Sequence, residues 1–299
     1  MKSAAFSYAR PTHLHEALQL LAEHGDEARL LAGGQTLLAT LNMRLSEPSL
    51  LIDLQAVNEL KGLRVDGASL RIGAMVTHTE IAESPLVAQH APLLAAAAPH
   101  IAHRAIRNLG TFGGSIAYGD PAAEWPACLL ALGGVVIAGS VRGERRIAAD
   151  AFFTGLYTTA LAADEIIVAC EVPLAAPNQR FSFAELARRH GDYAAVGLAA
   201  VASFDNGSIS RIRLAWIAMG SMPMRSPAAE LALATQALRA ASLEAALAAL
   251  RDELNPLADL TNSAAAKKHL ACVLLRRALK GWMTPAGAAQ QRAAGMDSV

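Results

Sequence analysis

The chain is poor in cysteine and modest in charge. Its 299 residues include only three cysteines, Cys128, Cys170 and Cys272. They are far apart and never form a Cys-x-x-Cys pair, which excludes a disulfide framework and a cysteine-held zinc or cluster site. They read as buried thiols. Charged residues make up 17% of the chain, and 26 basic residues balance 26 acidic ones, so no basic footprint for nucleic acid is present. No stretch approaches the ~20 apolar residues of a membrane span. The best candidate, Pro126 to Val141, is broken by Gly133-Gly134 and Gly139-Ser140. The opening Met1 to Tyr8 lacks the apolar segment of a secretory signal, and a cytoplasmic location is expected. His100 and His103 have i, i+3 spacing, but no carboxylate or cysteine at ligand spacing completes a metal site.

What the chain does have is two glycine pairs. In the central stretch, Leu109-Gly110-Thr111-Phe112-Gly113-Gly114-Ser115 precedes Asp120-Pro121-Ala122-Ala123-Glu124. Adjacent glycines flanked by hydroxyl residues let backbone N–H groups converge without β-carbons in the way, the chemistry of a phosphate nest. Upstream, the strand candidate Arg29-Leu30-Leu31 runs into Ala32-Gly33-Gly34-Gln35-Thr36 and then a helical Leu37 to Leu41. This loop is neither a dinucleotide fingerprint nor a P-loop. Two such loops in one chain point to an extended diphosphate ligand held from two sides.

The remaining pattern is scaffold. Leu14, Ala17, Leu18 and Leu21 form one helical face, with Thr12 as the expected cap and Gly25 as the stop. Leu50 to Leu54 reads as a strand, Leu63 to Ile72 as a hairpin around Asp66-Gly67, and Thr77-His78-Thr79-Glu80 as a capping box. His78 is a candidate ligand contact or a residue of that first turn. His103, Arg104 and Arg107 place positive charge before the central loop, either beside the nest or as a solvated cluster. Ala122 to Leu132 reads as a helix with Glu124 in its first turn, where a carboxylate suits the helix dipole or accepts from ribose hydroxyls. Asp120 could do the same or cap that helix. Val135 to Ala138 and Val141 to Ile147 read as strands joined at Gly139-Ser140, followed by Glu165 to Val172.

A boundary is expected at Ala175-Ala176-Pro177-Asn178-Gln179. Beyond it, Phe181 to Arg189, Ala194 to Phe204 and Ile209 to Ala218 read as strands, the last two joined by the hairpin signal Asp205-Asn206-Gly207. Helices are expected near Ala228 to Ala240, Leu243 to Leu254 and Ala264 to Trp282, covering one face of the sheet. Residues 284–299 read as a disordered tail.

In these motifs the chain resembles the FAD-binding medium subunits of molybdenum hydroxylases, a group including bacterial carbon monoxide, nicotine, caffeine and quinoline dehydrogenases and the flavin domain of xanthine dehydrogenase. The resemblance runs from about Lys2 to about Trp282. It rests on Ala32 to Thr36, Ile106 to Ser115, Asp120 to Glu124, and Arg188-Arg189-His190-Gly191-Asp192-Tyr193-Ala194. It implies an α+β chain: a two-lobed FAD-binding fold of the vanillyl-alcohol-oxidase-like (PCMH) type over residues 1–176, with lobes of about 1–56 and 57–176, then a smaller α+β domain over 177–283.

By the same resemblance, Ala32, Gly33, Gly34, Gln35 and Thr36, with Thr111, Gly113, Gly114 and Ser115, would hold the FAD diphosphate and neighbouring groups by backbone N–H donation. Glu124 would bind ribose hydroxyls, Leu161 would pack near the flavin or adenine, and Tyr193 would lie close to the isoalloxazine. Leu31, Ala102, Ala117 and Asp120 are further contact candidates. Ala184 stands where the xanthine dehydrogenase flavin domain presents a lysine, which leaves nicotinamide nucleotide, quinone, oxygen or another acceptor open. A small iron–sulfur subunit with [2Fe-2S] clusters and a large subunit with the molybdenum cofactor are the implied partners, in a dimer of heterotrimers. A self-contained flavin oxidase and a cofactor-free assembly subunit are the alternatives.

Overall fold

The computed structural model describes residues 2–283, and the expected tail at 284–299 lies outside the described residues. The first lobe is a parallel sheet in the order β1-β3-β2, formed by β1 (Ser7–Ala9), β2 (Ala28–Leu31) and β3 (Leu50–Asp53). α1 (Leu14–His24) and α2 (Leu37–Asn42) make its crossovers. α1 buries Ala17, Leu18 and Leu21, the face read from the sequence, and Gly25 ends it at φ 50°. Its cap is His13 rather than Thr12, because the Thr12 backbone N–H donates to the Glu16 carboxylate at 2.9 Å and leaves Thr12 outside the first turn.

The second lobe begins with the hairpin β4 (Leu63–Asp66) and β5 (Ser69–Gly73). Short helices follow: α3 (His78–Glu83), α4 (Pro85–His90), α5 (Pro92–Ala97), α6 (Arg104–Arg107), α7 (Phe112–Tyr118) and α8 (Glu124–Leu132). Next come β6 (Val135–Ser140), β7 (Gly143–Ala148), α9 (Ala149–Phe152), β8 (Phe153–Gly155), β9 (Thr158–Thr159) and β10 (Ile166–Pro173). The main sheet is ordered β4-β5-β10-β6-β7. The β6–β7 turn falls at Val141-Arg142 rather than at Gly139-Ser140. Both of those residues stay paired with β7, and the Ser140 hydroxyl accepts from the Arg142 N–H inside the turn.

The C-terminal sheet is a meander of β11 (Gln179–Leu186), β12 (Val196–Asp205), β13 (Ser208–Ile217) and β14 (Met224–Arg225). Asn206 and Gly207, at φ 51° and 80°, make the β12–β13 hairpin turn. α10 (Pro227–Leu233), α11 (Ala240–Glu253) and α12 (Ala264–Met283) cover one face. α10 ends before the expected Ala240, because residues 234–237 run along β13 instead. There the Thr235 N–H donates to Ile209 O at 2.8 Å, and the Ile209 N–H donates to Gln236 O at 3.0 Å.

Helices cover only half of this sheet. Leu198, Ala200, Leu214 and Trp216 pack with the C-terminal helices, whereas Ala199, Val201, Ala215 and Ile217 join the core of the second lobe. Burial on both faces explains why Ala194 to Ala202 is nearly continuous in apolar residues instead of alternating. Arg213, buried in β13, locks the two domains together. Its guanidinium donates to Leu130 O at 2.9 and 2.7 Å and to the Asp150 carboxylate at 2.7 and 2.9 Å. Arg213→Leu should therefore leave the buried Leu130 carbonyl with only the Gly133 N–H and break the cross-domain link to Asp150, destabilising the chain by about 2–3 kcal/mol. Urea unfolding followed by tryptophan fluorescence checks this, since Trp125 and Trp216 report on the two sides of the joint.

Candidate functional site

The two glycine loops meet. A β-carbon on Gly33 would lie 2.0 Å from Leu109 O and 2.8 Å from the Gly110 Cα, so the backbones touch where only glycine fits. One on Gly114 would lie 3.6 Å from the Ala32 β-carbon. Gly34 takes φ 71°, and the Gln35 side chain folds back to donate to Gly33 O at 3.0 Å. Among the described residues, no group accepts from the backbone N–H of Gly33, Gly34, Gln35 or Thr36.

The central stretch differs from a loop nest. Thr111 caps α7, its hydroxyl accepting from the Gly114 N–H at 3.1 Å, so Gly113 and Gly114 stand in the first turn of a helix. The Gly113 N–H donates to Ala74 O at 2.9 Å and the Ser115 N–H to Thr111 O at 3.1 Å. These glycines are needed for space, not for positive φ. A β-carbon on Gly113 would sit 2.5 Å from that of Ala74, and one on Gly114 would sit 2.7 Å from the capping Thr111 hydroxyl.

His78 is a post beneath this stretch. It is buried, its backbone N–H donates to Gly110 O at 2.9 Å, and its Nδ1 accepts from the Trp125 indole at 2.9 Å. Burial, helped by the charge of Arg107, lowers its pKa to about 4, so the ring is neutral. Arg107 donates to Ile101 O at 2.8 Å and to Ala102 O at 2.9 Å, bracing a corner where Ala102 takes φ 40°. Both residues thus support the loops from within. Gly191 rests on that corner, where a β-carbon would meet the His103 ring at 2.8 Å. Ala102 and the loop carrying Tyr193 are therefore neighbours across the domains.

The other end of α7 opens into an acidic and aromatic group. Asp120 is buried and accepts from the Ala122 N–H at 2.8 Å, and burial raises its pKa. Its charge reaches the Tyr118, Tyr157 and Tyr193 phenols and raises each of them in addition to burial. The Tyr118 and Tyr157 rings lie 4.9 Å apart, and Tyr193 is 72% exposed. Leu161 is half-buried against the second-lobe core, and Ala117 is exposed on α7. Leu31 packs beneath Gly34 in the first loop. The structure thus sorts the sequence candidates into two groups. Leu31 to Thr36 and Thr111 to Ser115 form the glycine clamp. Asp120, Glu124 and Tyr193 gather beyond the far end of α7, about 10 Å away at 1.5 Å per residue.

Glu124 begins α8 half-buried, and its pKa is raised to about 8 by burial first, then by the charge of Glu185 and of Asp120. Sequence reasoning missed Glu185, Tyr118 and Tyr157. The signal for Glu185 was its parity with Phe181 and Phe183 on β11, whose side chains pack on the second lobe. Ala184 faces the other way, into the helix-covered core, so it does not point toward this group.

Residues 4–175 match the family described as the FAD binding domain in molybdopterin dehydrogenase, and residues 181–281 match the CO dehydrogenase flavoprotein C-terminal domain. The medium subunit of nicotine 6-hydroxylase from Paenarthrobacter nicotinovorans is 44% identical over 93% of this chain and 98% of its own length. A carbon monoxide dehydrogenase structure from Hydrogenophaga pseudoflava superposes with TM-score 0.91 at 37% identity, covering 94% of this chain and 98% of the matched one. Quinoline 2-oxidoreductase from Pseudomonas putida 86 superposes at 0.87 with 36% identity, covering 95% of this chain and 100% of the matched one.

The pKa of Glu124 stands above the ordinary 4.5, so the stability it allows is full below that value and is lost as pH rises through about 8. Glu124→Gln cannot ionise. The cofactor-free variant should melt like wild type near the lower pH and above it near the higher one, by about 2 kcal/mol after allowing for partial exposure. Thermal melts across that range check the sign. Gly33→Ala forces the two backbones apart at Leu109 and should abolish flavin retention while the circular dichroism of the fold persists; flavin content per chain is the measurement.

Proposed function

The chain belongs to the FAD-binding medium subunits of the molybdenum hydroxylase family, and from that premise we propose that it is the flavin station of a three-subunit dehydrogenase. In this reading a large subunit carries the molybdenum cofactor and oxidises the substrate. A small iron–sulfur subunit conducts electrons through [2Fe-2S] clusters to this chain in the cytoplasm, and the complex is a dimer of heterotrimers. FAD, when bound, takes up those electrons and passes them to an acceptor outside the chain.

The observation that carries the reading is the glycine clamp. Partnerless N–H groups from Gly33 to Thr36 suit the diphosphate, and the Thr111 to Ser115 turn, with Ala32 against Gly114, walls the opposite side. The engaged amides of Gly113, Gly114 and Ser115 make that second stretch more a wall than a donor set. Glu124 and Asp120 supply acceptors for ribose hydroxyls. Tyr193 offers an aromatic face for the isoalloxazine. Leu161, Leu31, Ala102 and Ala117 complete the contacts as apolar packing.

No paired nucleophile and base is needed for such a station, because the residues bind and orient while the cofactor supplies the redox chemistry. Purification of the tagged full chain from its native host tests this. The expected preparation carries flavin that denaturation releases, together with an iron–sulfur and a molybdenum-containing subunit. A colourless chain that purifies alone and ignores added FAD would contradict it.

A further inference from the structure

Glu185 is a buried carboxylate that the reading above leaves without a task. It comes from β11 of the C-terminal domain yet faces the FAD-binding domain. Its side chain is 5% exposed, and Oε1 lies 3.5 Å from His100 Nδ1. The His100 ring is fixed in turn on Phe183, with centroids 5.1 Å apart. Oε2 is fully buried and has no hydrogen-bond partner among the described residues. Buried acceptors of this kind are rare enough to require an explanation.

His100 lies beside Glu185, and the Glu185 charge reaches Glu124 and Cys128 of α8. The groups within reach of the Glu124 charge are Glu185, Asp120, Cys128 and Tyr193. His100 is already placed against Oε1, and Asp120 accepts from the Ala122 N–H. A thiol such as that of Cys128 is a weak donor, whereas a protonated carboxyl is a strong one. Glu124 is the carboxyl that retains its proton at neutral pH.

We propose that Glu185 positions Glu124 for the cofactor's ribose, its vacant Oε2 accepting the Glu124 carboxyl hydrogen while His100 sits beside Oε1. This rests on the reading of Glu124 as a ribose ligand. The bond closes by rotation of the Glu124 side chain, leaving its second oxygen free to accept from the ribose. The consequence is that the ribose site is complete only when the C-terminal domain is docked. When Glu124 loses its proton, two facing carboxylates with Asp120 nearby replace the hydrogen bond with repulsion.

The test is FAD affinity of the full chain, with the subunits that co-purify with it, titrated by flavin fluorescence on either side of the pH near 8 where Glu124 ionises. Wild type should bind more weakly on the alkaline side. Glu185→Ala should bind about tenfold more weakly than wild type on the acid side, a difference of about 1.4 kcal/mol, and should no longer weaken on the alkaline side. Glu185→Gln, which keeps a partner for Glu124 but carries no charge, should hold near-wild-type affinity with a flat pH profile. Wild-type affinity and pH profile in Glu185→Ala would overturn the proposal. So would equal losses in the Ala and Gln variants at every pH, because that is the signature of packing alone. Glu124→Ala binding FAD as wild type does would instead remove the ribose contact itself, and the proposal with it.

Discussion

The close approach of Gly33 to the Leu109 carbonyl is the contact on which the site depends. It joins the first lobe to the second at a point where a β-carbon would lie 2.0 Å from a backbone oxygen, far inside any tolerated contact. Because the backbones meet there, the first loop is held beside α7, and its amides have no acceptor among the described residues. The second lobe reinforces this from below. Trp125 fixes His78, His78 fixes Gly110, and Ala74 and Val76 receive the N–H groups of Gly113 and Phe112. A neutral imidazole suits that work, since a charged one would have to be desolvated in the core.

The second constraint is the shared sheet. The C-terminal domain is no appendage, because one face of β12 and β13 completes the core of the FAD-binding domain. Arg213 then links Leu130 O, at the end of α8, to Asp150. α8 carries Glu124 at its opposite end, so the helix that presents this carboxylate is clamped by the other domain. The loop with Gly191 and Tyr193 comes from that domain too, resting on the Ala102-His103 corner. Both domains thus contribute to the acidic and aromatic end of the site, while the glycine end lies wholly within the two N-terminal lobes.

Much of this is legible in the sequence wherever local physics decides. The α1 face, the Asp66-Gly67 and Asn206-Gly207 hairpins, the Thr77 capping box and both glycine pairs follow from periodicity, φ preference and capping chemistry. What the sequence hid is set by distant contacts. Gly113-Gly114 reads as a loop because two glycines disfavour a helix; the Thr111 cap and the space beside Ala74 override that propensity. Helical spacing continues past Leu233, yet pairing along β13 claims residues 234–237. Arg107 and His78 could each be ligand contacts or scaffold in one dimension, and in three they brace the fold. Glu185 became visible only once strand parity showed which face of β11 meets the other domain.

The central claim is that the diphosphate is held mainly by the open amides of the first loop, with the second loop as a wall. Hydrogen–deuterium exchange of the chain with and without FAD tests it most directly. The account predicts that FAD strongly slows exchange over residues 33–36 and changes little over 113–115, whose amides are already bonded within the fold. Unchanged exchange at 33–36, with new protection confined to 113–115, would contradict it.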